Sequence, residues 1–299
     1  MRKLWTWLGA AAGALLGWAV LENTALLRVK HYSAAMQGLP RIVQISDLHK
    51  REFGEGQRRL IRRVSACKPE YILITGDLVS RCCTDFDRTE ALLRRLGALA
   101  PVIVAEGNHE ADFPPVEYAA FRAAVRRSGA RYLKNEIIRL GDIHLAGLAL
   151  SSEYFRGGGA FGFRGAKTCT RKTMRLLLGR CPAHTLLLAH NPLCFPAYAE
   201  WGAELTLSGH VHGGAVRLPL LGGLLSPERK FFPKYDKGKF RLGASELIVS
   251  GGLGKLRLFN PPEICLITSV PRHDRILQKQ TGHAAETVSQ TACLPQNRK

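Results

Sequence analysis

The chain has 299 residues, 46% hydrophobic and 22% charged, an ordinary globular balance with room for one large domain or two small ones. Lys and Arg number 43 against 24 Asp and Glu, a formal charge of +19, which favours anionic partners such as phosphate groups, acidic lipid or nucleic acid. No basic, aromatic-rich motif of a nucleic-acid module stands out, so no specific nucleic acid is expected and a membrane surface or a phosphorylated substrate ranks higher.

In chain order, Arg2 and Lys3 precede Leu4–Leu21, 18 residues without a charge. That length is at the short end for a membrane span. Trp5, Trp7 and Trp18 lie near its ends, where amphipathic rings prefer the interface. No small-x-small cleavage site follows. The expectation is an N-terminal signal-anchor helix over residues 1–21. The protein would then be single-pass in the cell membrane, with its catalytic domain extracytoplasmic. Arg28, Lys30 and Arg41 pull against that orientation. Residues 22–40 read as a linker.

A series of short apolar runs follows, each ending in a polar cluster: Arg41–Ser46, Tyr71–Thr75, Val102–Ala105, Ile143–Leu150, Thr185–Ala189, Glu204–Leu207, Glu246–Ser250 and Ile264–Val270. Between the early runs lie helical periodicities at 57–66, 89–99 and 116–128. Strands alternating with helices predict an α/β domain. Residues 271–299 lose the apolar rhythm and read as a flexible polar tail. The eight cysteines include no C-x-x-C pair, and Cys82 and Cys83 are adjacent, which suits neither a zinc knuckle nor a simple disulfide framework.

Asp47, His49, Asp77, Asn108, His109, His190, His210 and His212 all fall at or just beyond the end of an apolar run. Open α/β sheets gather their sites there. In extended backbone, His210 and His212 would point to one face, and the flanking glycines would let the chain approach closely. Taken singly, Asp47 and Asp77 also suit helix N-caps, Asn108 and His190 suit turns, and Arg81 suits a structural ion pair. Carboxylate, imidazole and amide donors without thiolate suit manganese, iron, zinc or nickel. They are too many for one tetrahedral zinc. Two metals roughly 3.5–4 Å apart, sharing a carboxylate, would use them all and could clamp a phosphoryl group.

DLH at 47–49, GDLVSR at 76–81, GNHE at 107–110, AHNP at 189–192 and GHVHGG at 209–214 resemble the five ordered blocks of the calcineurin-like metallophosphoesterases. The stretch 251–264, GGLGKLRLFNPPEI, resembles the closing segment of their membrane-associated bacterial YkuE/YaeI-like phosphodiesterase branch. The resemblance covers residues 41–270 and implies a four-layer α/β/β/α sandwich. It implies one divalent metal on Asp47, His49 and His212, a second on Asn108, His190 and His210, and Asp77 between them. His109 would face the substrate, and Arg81 would steady the site or the phosphate. The implied reaction is phosphoester hydrolysis by a metal-bridging hydroxide. A membrane-surface substrate is expected, such as a phospholipid head group or lipid-linked phosphate. The alternatives are a UDP-diacylglucosamine-type pyrophosphatase and a non-catalytic metal-binding scaffold. Ser80 stands where the phosphoprotein phosphatase branch commonly has Asp, which counts against a protein phosphatase.

Overall fold

The apolar runs become strands buried on both faces. The computed structural model describes residues 2–155, 166–214, 217–218, 222–223, 234–255 and 257–270. The first sheet is built on β2 (Ile42–Ile45), β3 (Tyr71–Thr75) and β4 (Val102–Ala105), all parallel. β5 (Arg131–Leu133) extends it at one side, and β14 (Glu263–Ser269), antiparallel to β2, extends it at the other. The second sheet holds β7 (Ile143–Leu148), β8 (Thr185–Ala189), β9 (Leu205–Ser208) and β13 (Ser245–Val249) in parallel. Antiparallel β6 (Glu136–Leu140) and β12 (Gly238–Leu242) flank it. With β1 (Arg28–Ala34) beside β14, both sheets are mixed and six-stranded, and β10 (Arg217–Leu218) pairs with β11 (Gly222–Gly223) apart from them.

Side-chain alternation sorts these strands into layers. Ile42, Leu73, Ile103, Leu186, Leu205 and Ile248 meet between the sheets. Val43, Ile72 and Val104 face outward onto α2 (Arg58–Ala66), α3 (Asp87–Gly97) and α5 (Pro115–Arg127) through Leu60, Leu93 and Phe121. Leu187 and Leu247 cover the opposite side, against α6 (Arg171–Leu178) and α7 (Phe195–Trp201), through Met174 and Tyr198. Each fully buried large side chain contributes roughly 1.5–3 kcal/mol. Strands covered on both faces read as near-continuous apolar runs, which is why they are legible.

Two expectations need correction. Residues 28–34 lie inside the supposed linker, yet they form β1 (Arg28–Ala34), paired in parallel with β14 from Arg28↔Glu263 to Ala34↔Ser269. An edge strand needs no continuous apolar run, and RVKHYSA has none. The second concerns the N-terminus. Arg2–Thr24 is helical (α1), but among the described residues no helix is long and apolar enough to cross a membrane. A single-pass membrane protein is therefore not supported. The last turn also meets the domain: Glu22 is buried, and its Oε2 accepts from the Phe259 N–H at 2.6 Å. The tail at 271–299 lies outside the described residues.

Candidate metal centre

The parallel strands deliver their C-terminal ends to one edge of the two-sheet sandwich. β2 leads to Asp47 and His49, β3 to Asp77, and β4 to α4 (Asn108–Ala111). From the other sheet, β8 leads to His190 and β9 to His210 and His212. Gln44 joins the sheets beneath this edge, donating from Nε2 to Thr75 Oγ1 at 3.0 Å and to the Ser208 carbonyl at 2.9 Å. The turns also hold one another. Asp47 N donates to Gly76 O, His49 N to Asp77 O, and Gly209 N to His190 O.

The backbone there is not ordinary. Asp47 (φ 53°), His49 (53°), Asp77 (50°), His210 (67°) and His212 (55°) all adopt left-handed conformations. Such residues cost on the order of 1–3 kcal/mol each and persist where the surroundings over-determine them. His210 and His212 are therefore not two residues of an extended strand, and they do not share one face. His212 groups with Asp47 and His49, while His210 groups with Asp77 and His190. A third grouping joins His49, Asp77 and His109. Within each group the ligand atoms lie within 4.8 Å of one another.

The Asp77 carboxylate stands between the groups. Its Oδ2 is 3.3 Å from His190 Nε2, 3.8 Å from His109 Nε2 and 4.0 Å from His49 Nε2. Asp47 Oδ1 is 3.3 Å from His212 Nε2 and 3.8 Å from His190 Nε2. Both carboxylates are buried. Burial pushes them up, but the imidazoles outweigh it. Asp47 is held well below the usual carboxylate range by His212 above all, and Asp77 by His190 above all. Burial pushes His49 down, with Asp77 opposing.

These residues fit a pair of cations. Asn108 Oδ1, His190 Nε2 and His49 Nδ1 are buried and lack a hydrogen-bond partner, a costly state for a polar atom in an apolar surround. The other ring nitrogen of His190 lies 2.6 Å from the Thr75 carbonyl, so the Nδ1 proton goes there and Nε2 presents its lone pair. The backbone also closes tightly on Asp47. A Cβ on Gly252, itself at φ 71°, would sit 2.7 Å from Asp47 Oδ2. One on Gly209 would overlap Ser46 Oγ and Asp47 Oδ2.

His109 and Arg81 lie at the open side. The Arg81 N–H donates to His109 Nδ1 at 3.2 Å, which leaves the proton of a neutral ring on Nε2, toward Asp77. Burial, against the pull of Asp77, lowers His109 to about 4, so the ring is neutral near pH 7. The Arg81 guanidinium turns away and pairs with Asp112, Nε to Oδ2 at 3.0 Å.

Two supports have no counterpart in the sequence reading. Glu110 is buried, and its carboxylate accepts from Asp77 N (3.0 Å), Gly107 N (2.9 Å) and Val79 N (3.2 Å). It clips the β3 and β4 turns together. Burial, then the Asp77 charge, raises its pKa to about 8. Glu three residues after a turn glycine is a helix-start signal that was available. Asn260 is the other: its Nδ2 donates to His212 O at 2.6 Å and Gly214 O at 2.8 Å. Lys237 Nζ donates to Asn260 Oδ1 at 3.1 Å and pairs with Glu263 Oε2 at 2.6 Å. No local pattern marks Asn260, because its partners lie 46 and 48 positions away.

Residues 40–214 match the calcineurin-like phosphoesterase family, and the chain belongs to it. It is a metal-dependent phosphoric ester hydrolase of the class that uses two divalent metals. It is 27% identical over 239 residues to the uncharacterized metallophosphoesterase YkuE of Bacillus subtilis, covering 76% of this chain and 78% of that one. Phosphodiesterase YaeI of Escherichia coli is 26% identical over 215 residues, covering 68% and 71%. The UDP-2,3-diacylglucosamine pyrophosphatase LpxG of Chlamydia muridarum is 24% identical over 298 residues, covering 78% and 84%.

Proposed function

We propose that the chain hydrolyses phosphodiester or pyrophosphate bonds of lipid-linked substrates. Asp47, His49 and His212 would hold one divalent cation, Asn108, His190 and His210 the other, with Asp77 between them. The observation that carries these roles is the position of Asp77 Oδ2, within 3.3–4.0 Å of His190 and His49 Nε2, which belong to different groups. The bound cations, manganese, iron, zinc or nickel, supply charge neutralisation and a hydroxide at neutral pH. The protein's own part is to hold them and to place the phosphate. His109 offers its Nε2–H to an oxygen that gains charge as the ester bond breaks. The Arg81 main chain keeps that ring turned, while its side chain stays with Asp112.

The net charge of +19 and the likeness to LpxG favour a lipid-linked phosphoester. The second reading, a UDP-diacylglucosamine-type pyrophosphatase, is favoured by that likeness alone, which recurs in Chlamydia trachomatis LpxG at 25% identity. A non-catalytic scaffold would be expected to lack ligands, and every one of the seven ligand positions carries a donor residue.

The test is purification in manganese and assay on bis-p-nitrophenyl phosphate beside Asp77→Asn. Hydrolysis that disappears in the variant together with bound metal supports the reading. No hydrolysis with manganese, iron, zinc, nickel or cobalt, and unchanged metal content in Asp77→Asn, would sink it.

A further inference from the structure

Beside the ligand groups lies a cavity of about 570 Å³ that has His49 in its wall. Leu48, Leu78, Val79 and Leu92 form its inner side, and all four are buried. Its outer side is the 50–57 segment, which two arginines tie to α3. Arg88 Nη1 lies 3.9 Å from Glu52 Oε2, and Arg95 donates to the Gly56 carbonyl. Lys50, Arg88 and Arg95 are exposed around it.

This volume falls in the range of small-molecule sites, roughly 300–1,000 Å³. Two observations select the occupant. The cavity shares His49 with the metal-ligand groups, so a substituent on a phosphate held there is within reach of it. Among the described residues, no Phe, Tyr or Trp lines it. A nucleobase is most often held by stacking on such rings. An alkyl chain needs only apolar wall, and the leucines and Val79 supply that. The exposed cations suit the anionic group at its head.

We propose that this cavity is the subsite for the alkyl chain of an amphiphilic phosphoester whose phosphate occupies the metal-ligand groups. The proposal rests on the phosphoester-hydrolase reading and narrows its substrate to those with a chain able to enter beside His49. Leu48, Leu78, Val79 and Leu92 then set specificity, and the arginine ties keep the outer wall closed over the chain.

The full chain, purified in manganese, is assayed on p-nitrophenyl n-alkyl phosphodiesters from methyl to octyl and on the thymidine ester. Binding of methyl and octyl phosphate is measured in parallel by calorimetry. The expected result is a three- to fourfold rise in kcat/KM for each added methylene, about what burial of a CH₂ supplies. Thr89, half-buried on α3, also lines the cavity, and Thr89→Phe should collapse the octyl-to-methyl ratio. A flat chain-length series with equal binding of methyl and octyl phosphate overturns the proposal and leaves the hydrolase reading intact. So does a preference for the thymidine ester. If no ester is cleaved but octyl phosphate binds tenfold or more tighter than methyl phosphate, the hydrolase reading falls and the cavity assignment stands.

Discussion

Asp77 Oδ2 lies 3.3 Å from His190 Nε2, while His190 Nδ1 is held 2.6 Å from the Thr75 carbonyl. The ring cannot turn away, so proton and cation compete for one lone pair. Burial alone would lower this imidazole, but the charges of Asp77 and Asp47 outweigh burial and lift it to about 10. A metal ligand must be neutral, so cation binding has to expel that proton. Manganese affinity should therefore rise between about pH 6 and pH 8, with proton release on binding. Calorimetric titration in buffers of different ionisation enthalpy measures both. Affinity independent of pH, with no proton released, would refute the assignment. Without cations the sign is opposite. The folded value exceeds the ordinary 6.5, so this imidazolium stabilises the fold fully below that value, and the contribution is lost as pH rises through about 10.

Asp77 is the only carboxylate placed near both histidines His49 and His190 at 4.0 Å or less among the described ion pairs. Asp77→Asn should lower bis-p-nitrophenyl phosphate hydrolysis by at least about a hundredfold, the upper end of what losing even an outer partner of a metal ligand costs. Elemental analysis of the same sample should show less metal per chain.

Glu110 accepts three main-chain N–H groups in a buried position. In Glu110→Gln an amide NH₂ would face donors it cannot satisfy. Above about pH 8, where the carboxyl is ionised, the cost should be about 1–3 kcal/mol of stability, read from the urea midpoint of the cation-free protein. An unchanged midpoint would mean that the β3 and β4 turns do not depend on this clip.

Asn260 holds the carbonyls of His212 and Gly214 from behind. Asn260→Ala should weaken manganese binding about ten- to a hundredfold while circular dichroism stays that of the parent. Affinity equal to the parent would show that the left-handed turn at His212 holds its own shape.

Much of the site was legible because each ligand follows a strand covered on both faces, and such strands read as apolar runs. The helices at 58–66, 87–97 and 115–127 were legible through their apolar spacing. β1 was not, since an edge strand with charged side chains carries no such signal, and its partner β14 begins 235 positions later by number (263 − 28). Glu110 and Asn260 were missed because their roles exist only once distant turns are side by side.

The sequence by itself singled out the candidate donors Asp47, His49, Asp77, Asn108, His190, His210 and His212, and the basic charge that goes with phosphate. Local apolar periodicity and short ordered motifs carry that information. The resemblance implied how they divide, and only the tertiary structure decided the backbone and contacts that bring them together. His210 N meets the Asp47 carboxylate across 163 positions, and the left-handed turns send His210 and His212 to different groups. It also decided that the last turn of α1 rests on the domain through Glu22 and Phe259. These outcomes depend on long-range pairing and on backbone strain that the packed sandwich holds in place, and neither is written in any short stretch of residues.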